Sequence, residues 1–488
     1  MNEYNVKVYG AKGDGINVDT KFVNEAINEC NLSGGGIVYF PAGIYLLGSV
    51  RLKSKVELYL ESGAVLKAIK NYDVDGLLTG FDPHEDIPYK LYQDPSHSYF
   101  HHSLIWGENL ENISIRGNGM IDMNGNWEVT EEIQKKIKRF MDDGLSYQAI
   151  AKHLNLSASI TEHIFKYGFR GSKAIALKKC EFVSIEDITV EHATDIAILL
   201  TGCEHLKISG VIIDTYIDGI NIDGCKNATI SNCQVNSGDD SIVLKSSYAL
   251  DEPLPCENVT ITNCVVRSQC LGIKLGTESN GGFKDISISD CVIHDTLLGG
   301  LGIEEVDGGT LENITISNIL MNNVEAPLFI RLGNRANGPE SKVGKLRNVS
   351  VSSVIAVIKK PDLLYPELGE LPEQSWLKKY YNNPLPIVSS VSGIEGHPVE
   401  DIVLMNITLI QKAIEYSIEG MNFHVEDDPK SYPNPDLFGA LPSYGIYLRH
   451  AKQVKMIGMN ISYEGNEQRP ALFFDDVQGL EMHELKLK

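Results

Sequence analysis

No stretch of this 488-residue sequence holds the run of roughly 18 apolar residues that a membrane-spanning helix requires, so a soluble chain is expected. Cysteine is sparse. There are nine, an odd number, and none stands in the close Cys-x-x-Cys pairing of a zinc site. The cysteines therefore read as reduced thiols serving as small apolar fillers. Positive charge is also in short supply: 43 Lys and Arg face 65 Asp and Glu, a formal net charge of -22. Nucleic acid and anionic membranes would be repelled at long range and are excluded as partners, and long polyanionic substrates are disfavoured unless a local basic site overrides the field. The opening residues Met1 to Gly10 contain no basic segment followed by an apolar core, from which a cytoplasmic location is expected.

What the sequence does hold is a hydrophobic content of 43%, ordinary for a globular protein, and a repeat. The length alone would allow three domains, but a solenoid can be longer because each of its repeats contacts only its neighbours. A phrase close to C-x-x-V-x-I-x-x-C-x-V begins at Cys180, Cys203, Cys225, Cys256, Phe283 and Leu311, at intervals of 22 to 31 residues. Eight residues further on stand Ile188, Val211, Cys233, Cys264, Cys291 and Ile319, so cysteines share columns with aliphatic residues. A second strand in each coil carries Ile175, Ile198, Ile220, Ile242, Ile273, Ile303 and Ile330. Two positions later come Leu177, Leu200, Ile222, Leu244, Leu275 and Leu332, interrupted by Glu305. Such columns fit the interior of an all-β, right-handed parallel β-helix, with strands stacked about 4.8 Å apart. A β-sandwich, the alternative, needs no fixed column.

A single β-helix domain over residues 1–488 is the expected organisation. Its first 70 residues read as an N-terminal cap and first coils, with Asp19 as N-cap of an amphipathic helix that buries Phe22, Val23, Ala26, Ile27 and Cys30. A turn and apolar strand follow at Gly34-Gly-Gly-Ile-Val-Tyr-Phe. Residues 128–169 break the repeat with helix-forming sequence. Its phrase Leu145-Ser-Tyr-Gln-Ala-Ile-Ala-Lys-His-Leu-Asn-Leu-Ser resembles a DNA-binding helix-turn-helix, but the acidic chain favours an inserted helical hairpin covering one face. Residues 359–386, rich in Pro and Tyr, read as a long loop.

Two residues before each second-strand isoleucine lies a column of Lys173, Ile196, Asp218, Asp240, Leu271, Leu301 and Leu328. Consecutive coils thus stack Asp218 on Asp240, with Asp239 adjacent in sequence. Three carboxylates this close cannot all ionise freely, a cost met mainly at functional sites. Two uses fit: a divalent cation, or general acid and base for glycoside cleavage. The bland alternative is a solvated Asp-rich turn at Ser237-Gly-Asp-Asp.

The segment Asp218-Gly-Ile-Asn-Ile-Asp, followed by Gly238-Asp-Asp-Ser-Ile-Val-Leu-Lys-Ser, resembles the signature of family 28 glycoside hydrolases, the polygalacturonases and rhamnogalacturonan hydrolases. The opening Val8-Tyr-Gly-Ala-Lys-Gly-Asp-Gly is similar to that family's N-terminal phrase, so the resemblance runs from about residue 5 to at least 335. It implies a parallel β-helix with three catalytic aspartates and no metal or other cofactor. Asp239 would protonate the glycosidic oxygen, and Asp218 and Asp240 would activate water on the opposite face, inverting the anomeric centre.

The chain departs from the family around this trio. Tyr216-Ile217 stands where the family has Asn-Thr, Leu271-Gly272 where it has His-Gly, and Gly302-Ile303-Glu304 where it has Arg-Ile-Lys. Loss of the last two cations removes a bidentate grip on a galacturonate carboxylate and disfavours polygalacturonic acid itself. Pectin-derived or related oligosaccharides are the expected substrate. Candidate binding residues are Lys245, Lys274, Glu304 and Arg331, the last three equally readable as an inter-coil charge ladder, together with Tyr216. Trp127 and the stretch Tyr444-Gly-Ile-Tyr offer further rings for sugar stacking. A calcium-dependent polysaccharide lyase and a non-catalytic carbohydrate-binding β-helix are the competing readings, and the oligomeric state is left open.

Overall fold

The computed structural model describes residues 2–488 except 142–144, 146, 168–169, 341, 364, 367–376, 378–379, 381–385 and 413–422. The described chain forms two compact units: Met1–Asn221 with Asn236–Gly238 and Tyr365–Tyr380, and Ile222–Val235 with Asp239–Leu364 and Tyr381–Lys488. Both are built from the same right-handed parallel β-helical coil. None of the described helices is long and apolar enough to cross a membrane.

In the first unit, each coil contributes short strands to three parallel ladders. One stacks Glu3–Asn5, Gly36–Phe40, Val56–Leu60, Glu111–Gly117, Glu181–Glu186 and Glu204–Ser209. Another stacks Gly43–Leu47, Ala64–Ala68, Met120–Asp122, Thr189–Glu191 and Ile212–Thr215. The third carries the isoleucine column, with Ile105 opposite Ile175 and Ile175 opposite Ile198. Alternation along these strands puts one set of side chains inside, as in Val183 and Ile185 between half-buried or exposed neighbours.

Helix α1 (Thr20–Leu32) buries Val23, Ala26, Ile27 and Cys30 as the spacing requires, while Phe22 is only half-buried. The expected side-chain cap is absent. The Asp19 carboxylate instead accepts the backbone N–H groups of Lys12, at 2.7 Å, and Gly13, at 2.9 Å. Asp19 has no exposed surface, and the loop before the helix offered it two donors closer than the helix terminus did.

Among its described residues the insertion holds three helices, not the two of the expected hairpin: α2 (Glu131–Met141), α3 (Tyr147–Leu154) and α4 (Ala158–Tyr167). The helix-turn-helix-like phrase supplies α3 and the turn after it. Ile133, Ile137, Ile150, Ile160 and Ile164 bury one another with Val129, and Leu77 packs against them. The segment leaves the coil at Glu128 and returns at Gly171, where Trp127 bridges Gly171 and Glu128 N–H donates to Arg170 O at 3.2 Å. The two ends therefore meet. Most of the expected long loop at 359–386 lies outside the described residues.

In the second unit the columns continue, with Ile242 opposite Ile273, Leu244 opposite Leu275, and Cys256, Phe283, Leu311 and Leu346 stacked in turn. All nine cysteines are buried and outside any disulfide, as the columns shared with aliphatic residues predict for seven of them. The register departs from the isoleucine column between Ile273 and Ile303. Ile273 stands opposite Leu301, and Leu275 opposite Ile303, two residues from the spacing that matches isoleucine to isoleucine. Leucine fills the same interior volume, and a slip of two keeps every side chain on its own face. At the turns, left-handed asparagines form ladders absent from the sequence reading: Asn258 donates to Asn227 at 3.1 Å, Asn313 to Asp285 at 2.7 Å and Asn348 to Asn313 at 2.7 Å. Their short amides tolerate positive φ and satisfy one another between coils.

Ile273 is fully buried, so Ile273→Ala should cost about 2–5 kcal/mol and lower the urea midpoint. Ile212, 46% exposed on an outward position, is the control, and its replacement by alanine should stay within about 0.5 kcal/mol.

Candidate functional site

In the second unit, Asp239 and Asp240 form the turn that leads into the strand Ile242–Ser246. Neighbouring residues lock this turn. The Ser268 hydroxyl donates to Asp239 O at 2.6 Å, the Ser241 hydroxyl to Arg267 O at 2.8 Å, and Asp240 N–H to Asp239 Oδ1 at 3.1 Å. Asp240 is 4% exposed; its Oδ1 accepts Leu271 N–H at 3.0 Å and its Oδ2 lies 3.2 Å from Lys274 Nζ. Asp239 is half-buried and keeps open surface.

Lys274 lies beneath this pair with almost no exposure, and its ammonium also lies 3.8 Å from Glu304 Oε2. Burial works against its charge, but Asp240 and Glu304 outweigh burial and hold it well above the ordinary lysine value. Glu304, fully buried, is pushed up to about 7 by burial, opposed by Lys274. The expected ladder of Lys274, Glu304 and Arg331 is not a straight column. Lys274 stands opposite Gly302, and Glu304 opposite Arg331, because of the two-residue slip. Gly276 lies against Glu304, where a Cβ would come within 2.9 Å of the Glu304 Cβ.

Arg331 lies with its guanidinium 4.0 Å from the Asp427 carboxylate. Its guanidinium donates to Gly393 O at 2.8 Å and Asp428 O at 3.0 Å and packs over the Phe438 ring, and burial lowers it to about 10. In this position it faces main-chain oxygens rather than an open surface. Lys245 is likewise buried and pairs with Glu278 at 2.9 Å. Glu278 and Asp307 also pair with Arg335, and the Tyr432 ring lies under both Lys274 and Arg335. The sequence reading missed Glu278, Asp307, Arg335 and Tyr432, because they stand in no repeated column. Asp223, in the phrase Asp218-Gly-Ile-Asn-Ile-Asp, is buried, accepts Ser247 N–H at 2.8 Å, and is raised by burial to about 6.

In the first unit, Asp218 is 6% exposed and its Oδ2 accepts the Asn221 amide at 2.8 Å. Lys173 and Asp195 form a buried ion pair at 3.1 Å. Tyr216 is half-buried in a tilted arrangement of rings, 5.2 Å from Tyr365 and 6.4 Å from both Trp127 and His192. Among the five binding candidates, Tyr216 alone retains open surface. Tyr444 and Tyr447, in the second unit, are buried, and the Tyr444 hydroxyl donates to Lys488 O at 2.8 Å; they serve packing, not an open stacking surface.

Comparison with known proteins finds that residues 89–365 match the family described as Glycosyl hydrolases family 28. A protein of Vitis vinifera named "Probable polygalacturonase" is 27% identical over 336 residues, 64% of this chain and 59% of that protein. "Exo-poly-alpha-D-galacturonosidase" of Dickeya chrysanthemi is 26% identical over 348 residues, 66% of this chain and 55% of the relative. The chain thus spans less than two thirds of the length of either. Among solved structures, the family 28 exopolygalacturonase of Yersinia enterocolitica superposes with a TM-score of 0.68 at 19% identity, covering 98% of this chain and 78% of that one, a likeness of fold.

The raised Glu304 carboxyl links stability to pH. Its folded value near 7 exceeds the ordinary 4.5, so the stabilisation from its proton is complete below the ordinary value and is lost as pH rises to about 7. Glu304→Gln should therefore match wild type at about pH 5 and melt a few degrees higher at about pH 8, in a thermal-denaturation series. Equal differences at both pH values would sink this assignment.

Proposed function

Because the chain belongs to glycosyl hydrolases family 28, we propose that it is an inverting glycoside hydrolase acting on pectin-derived or related oligosaccharides. Asp239 is the general acid, and Asp218 and Asp240 activate the attacking water. The observation that carries this reading is the asymmetry of the Asp239–Asp240 turn. Asp239 keeps open surface through which it can reach a glycosidic oxygen, whereas Asp240 is buried with one oxygen on a backbone N–H and the other beside a lysine ammonium. Two carboxylates in unequal surroundings are how one site obtains separate acid and base roles. The role of Asp218 rests on the repeat spacing and the family phrase.

The names of the relatives support a galacturonan-type substrate. The buried, already paired state of Lys245, Lys274 and Arg331 supports short or partly neutral oligosaccharides over long polygalacturonate. Tyr216, with Trp127 and Tyr365, offers a ring surface suited to the apolar face of a sugar.

A calcium-dependent lyase has less support. The atoms nearest to forming a cation site at the turn are those of Asp239, Asp240 and the Cys270 thiol, with a lysine ammonium 3.2 Å from Asp240. Calcium takes about six to eight oxygen ligands and no soft sulfur.

Product analysis on galacturonate and rhamnogalacturonan oligosaccharides, with the anomeric proton followed by NMR, should show a first-formed product of inverted configuration. Asp239→Asn should lower kcat by about 10²–10⁴ with little change in KM. Turnover of every cleaved substrate by Asp239→Asn at the wild-type rate would remove the proposed acid, and an unsaturated product would transfer the reading to a lyase.

A further inference from the structure

Away from the aspartate turn, the first unit gathers three histidines around one carboxylate. Glu128, where the insertion leaves the coil, is 4% exposed. Its Oε1 lies 3.3 Å from His84 Nε2 and 3.8 Å from His102 Nε2, and its Oε2 lies 2.5 Å from His163 Nε2, on α4. One ligand atom from each of His84, Glu128 and His163 falls within a span of 4.8 Å.

His102 is the informative member. It is 8% exposed, and its Nδ1 lies 3.0 Å from Asp82 O, a contact that places the proton on Nδ1 and leaves a lone pair on Nε2. That Nε2 has no hydrogen-bond partner although it points at the Glu128 carboxylate. A backbone carbonyl holding one ring nitrogen while the other faces a cluster is the usual outer support of a metal-ligating histidine. The His84 ring is held by stacking, 4.3 Å from His102 and 3.9 Å from Tyr167.

We propose that His84, His163 and Glu128, with His102 beside them as a neighbouring unpartnered imidazole, form a three-residue site for a divalent transition metal of the zinc class. Imidazole and a carboxylate oxygen suit zinc and poorly suit calcium or magnesium. Tetrahedral zinc with bonds of about 2.0–2.1 Å separates its ligand atoms by roughly 3.3 Å. The Glu128 oxygens lie 3.3 Å from His84 Nε2 and 2.5 Å from His163 Nε2, on either side of that value, and water can complete a four-coordinate shell of three protein ligands. The bound ion would tie α4 to the 84–102 segment and to the base of the insertion. The proposal departs, at this site, from the expectation of no metal.

The test uses the full chain, stripped with a chelator, dialysed and titrated with Zn²⁺. About one equivalent should bind per chain and raise Tm, and His84→Ala and His163→Ala should each weaken binding by at least about 100-fold. Cys270→Ala should leave uptake unchanged, which separates this site from the aspartate turn. Co²⁺ in place of zinc should give the intense visible bands of a four-coordinate centre without a thiolate band. It should also quench a fluorescence component that is missing in Trp127→Phe, since Trp127 precedes Glu128. The proposal is overturned by absence of saturable uptake in wild type, by loss of uptake in Cys270→Ala, or by folded histidine variants that bind as wild type. Should those variants not fold, the Co²⁺ spectrum of wild type decides, and a thiolate band or unquenched Trp127 overturns it.

Discussion

Everything in this protein hangs on the hydrogen bonding of each strand to the strands one coil before and one coil after it. A parallel ladder accepts only registers that keep inward side chains inward, so each coil inherits its orientation from its neighbour. This is why a two-residue slip between Ile273 and Leu301 is tolerated where a slip of one would not be. It also explains why turns recur at the same height, where asparagine amides bridge coil to coil.

The ladder determines where charge can be placed. Several buried acidic groups stand where a strand starts or ends. Asp240 caps one strand's start, Glu304 and Glu305 another's end, and Asp223 a third. Each is buried, and each draws in a donor: Lys274, Thr277, Gly309 N–H or Ser247. Buried charge pairs of this kind contribute little net stability, but removing one partner leaves the other stranded. The strongly acidic chain therefore keeps its few internal cations fixed, which leaves little positive potential to meet a polyanion.

How much could be read in advance follows from what repeats. Aliphatic and cysteine columns recur at one-coil spacing, and the structure places Cys256, Phe283 and Leu311 in line. Asp240 could be placed at the entry to a strand because it lies two residues before an isoleucine, Ile242. Features set by a single local competition were misread. Asp19 looked like a helix cap and was taken by two loop amides. Arg331 looked like a surface cation and turned inward to main-chain oxygens. Tyr444 and Tyr447 carry no sign in sequence that they are packed. The histidine cluster was invisible because its members come from loops and from α4, with no common spacing, and the asparagine ladders passed as ordinary turn residues although their spacing follows the coil.

The two ends of the helical insertion meet at one rung, with Trp127 bridged to Gly171 and Leu78 N–H on Glu128 O. A detour whose entrance and exit coincide adds nothing to the path of the coil, so the stack below and above it closes as though the segment were not there. The solenoid thus behaves as a rail with a docking point. What is mounted at 128–171 can change in length and content over evolutionary time, or be exchanged by design, without re-registering a single strand.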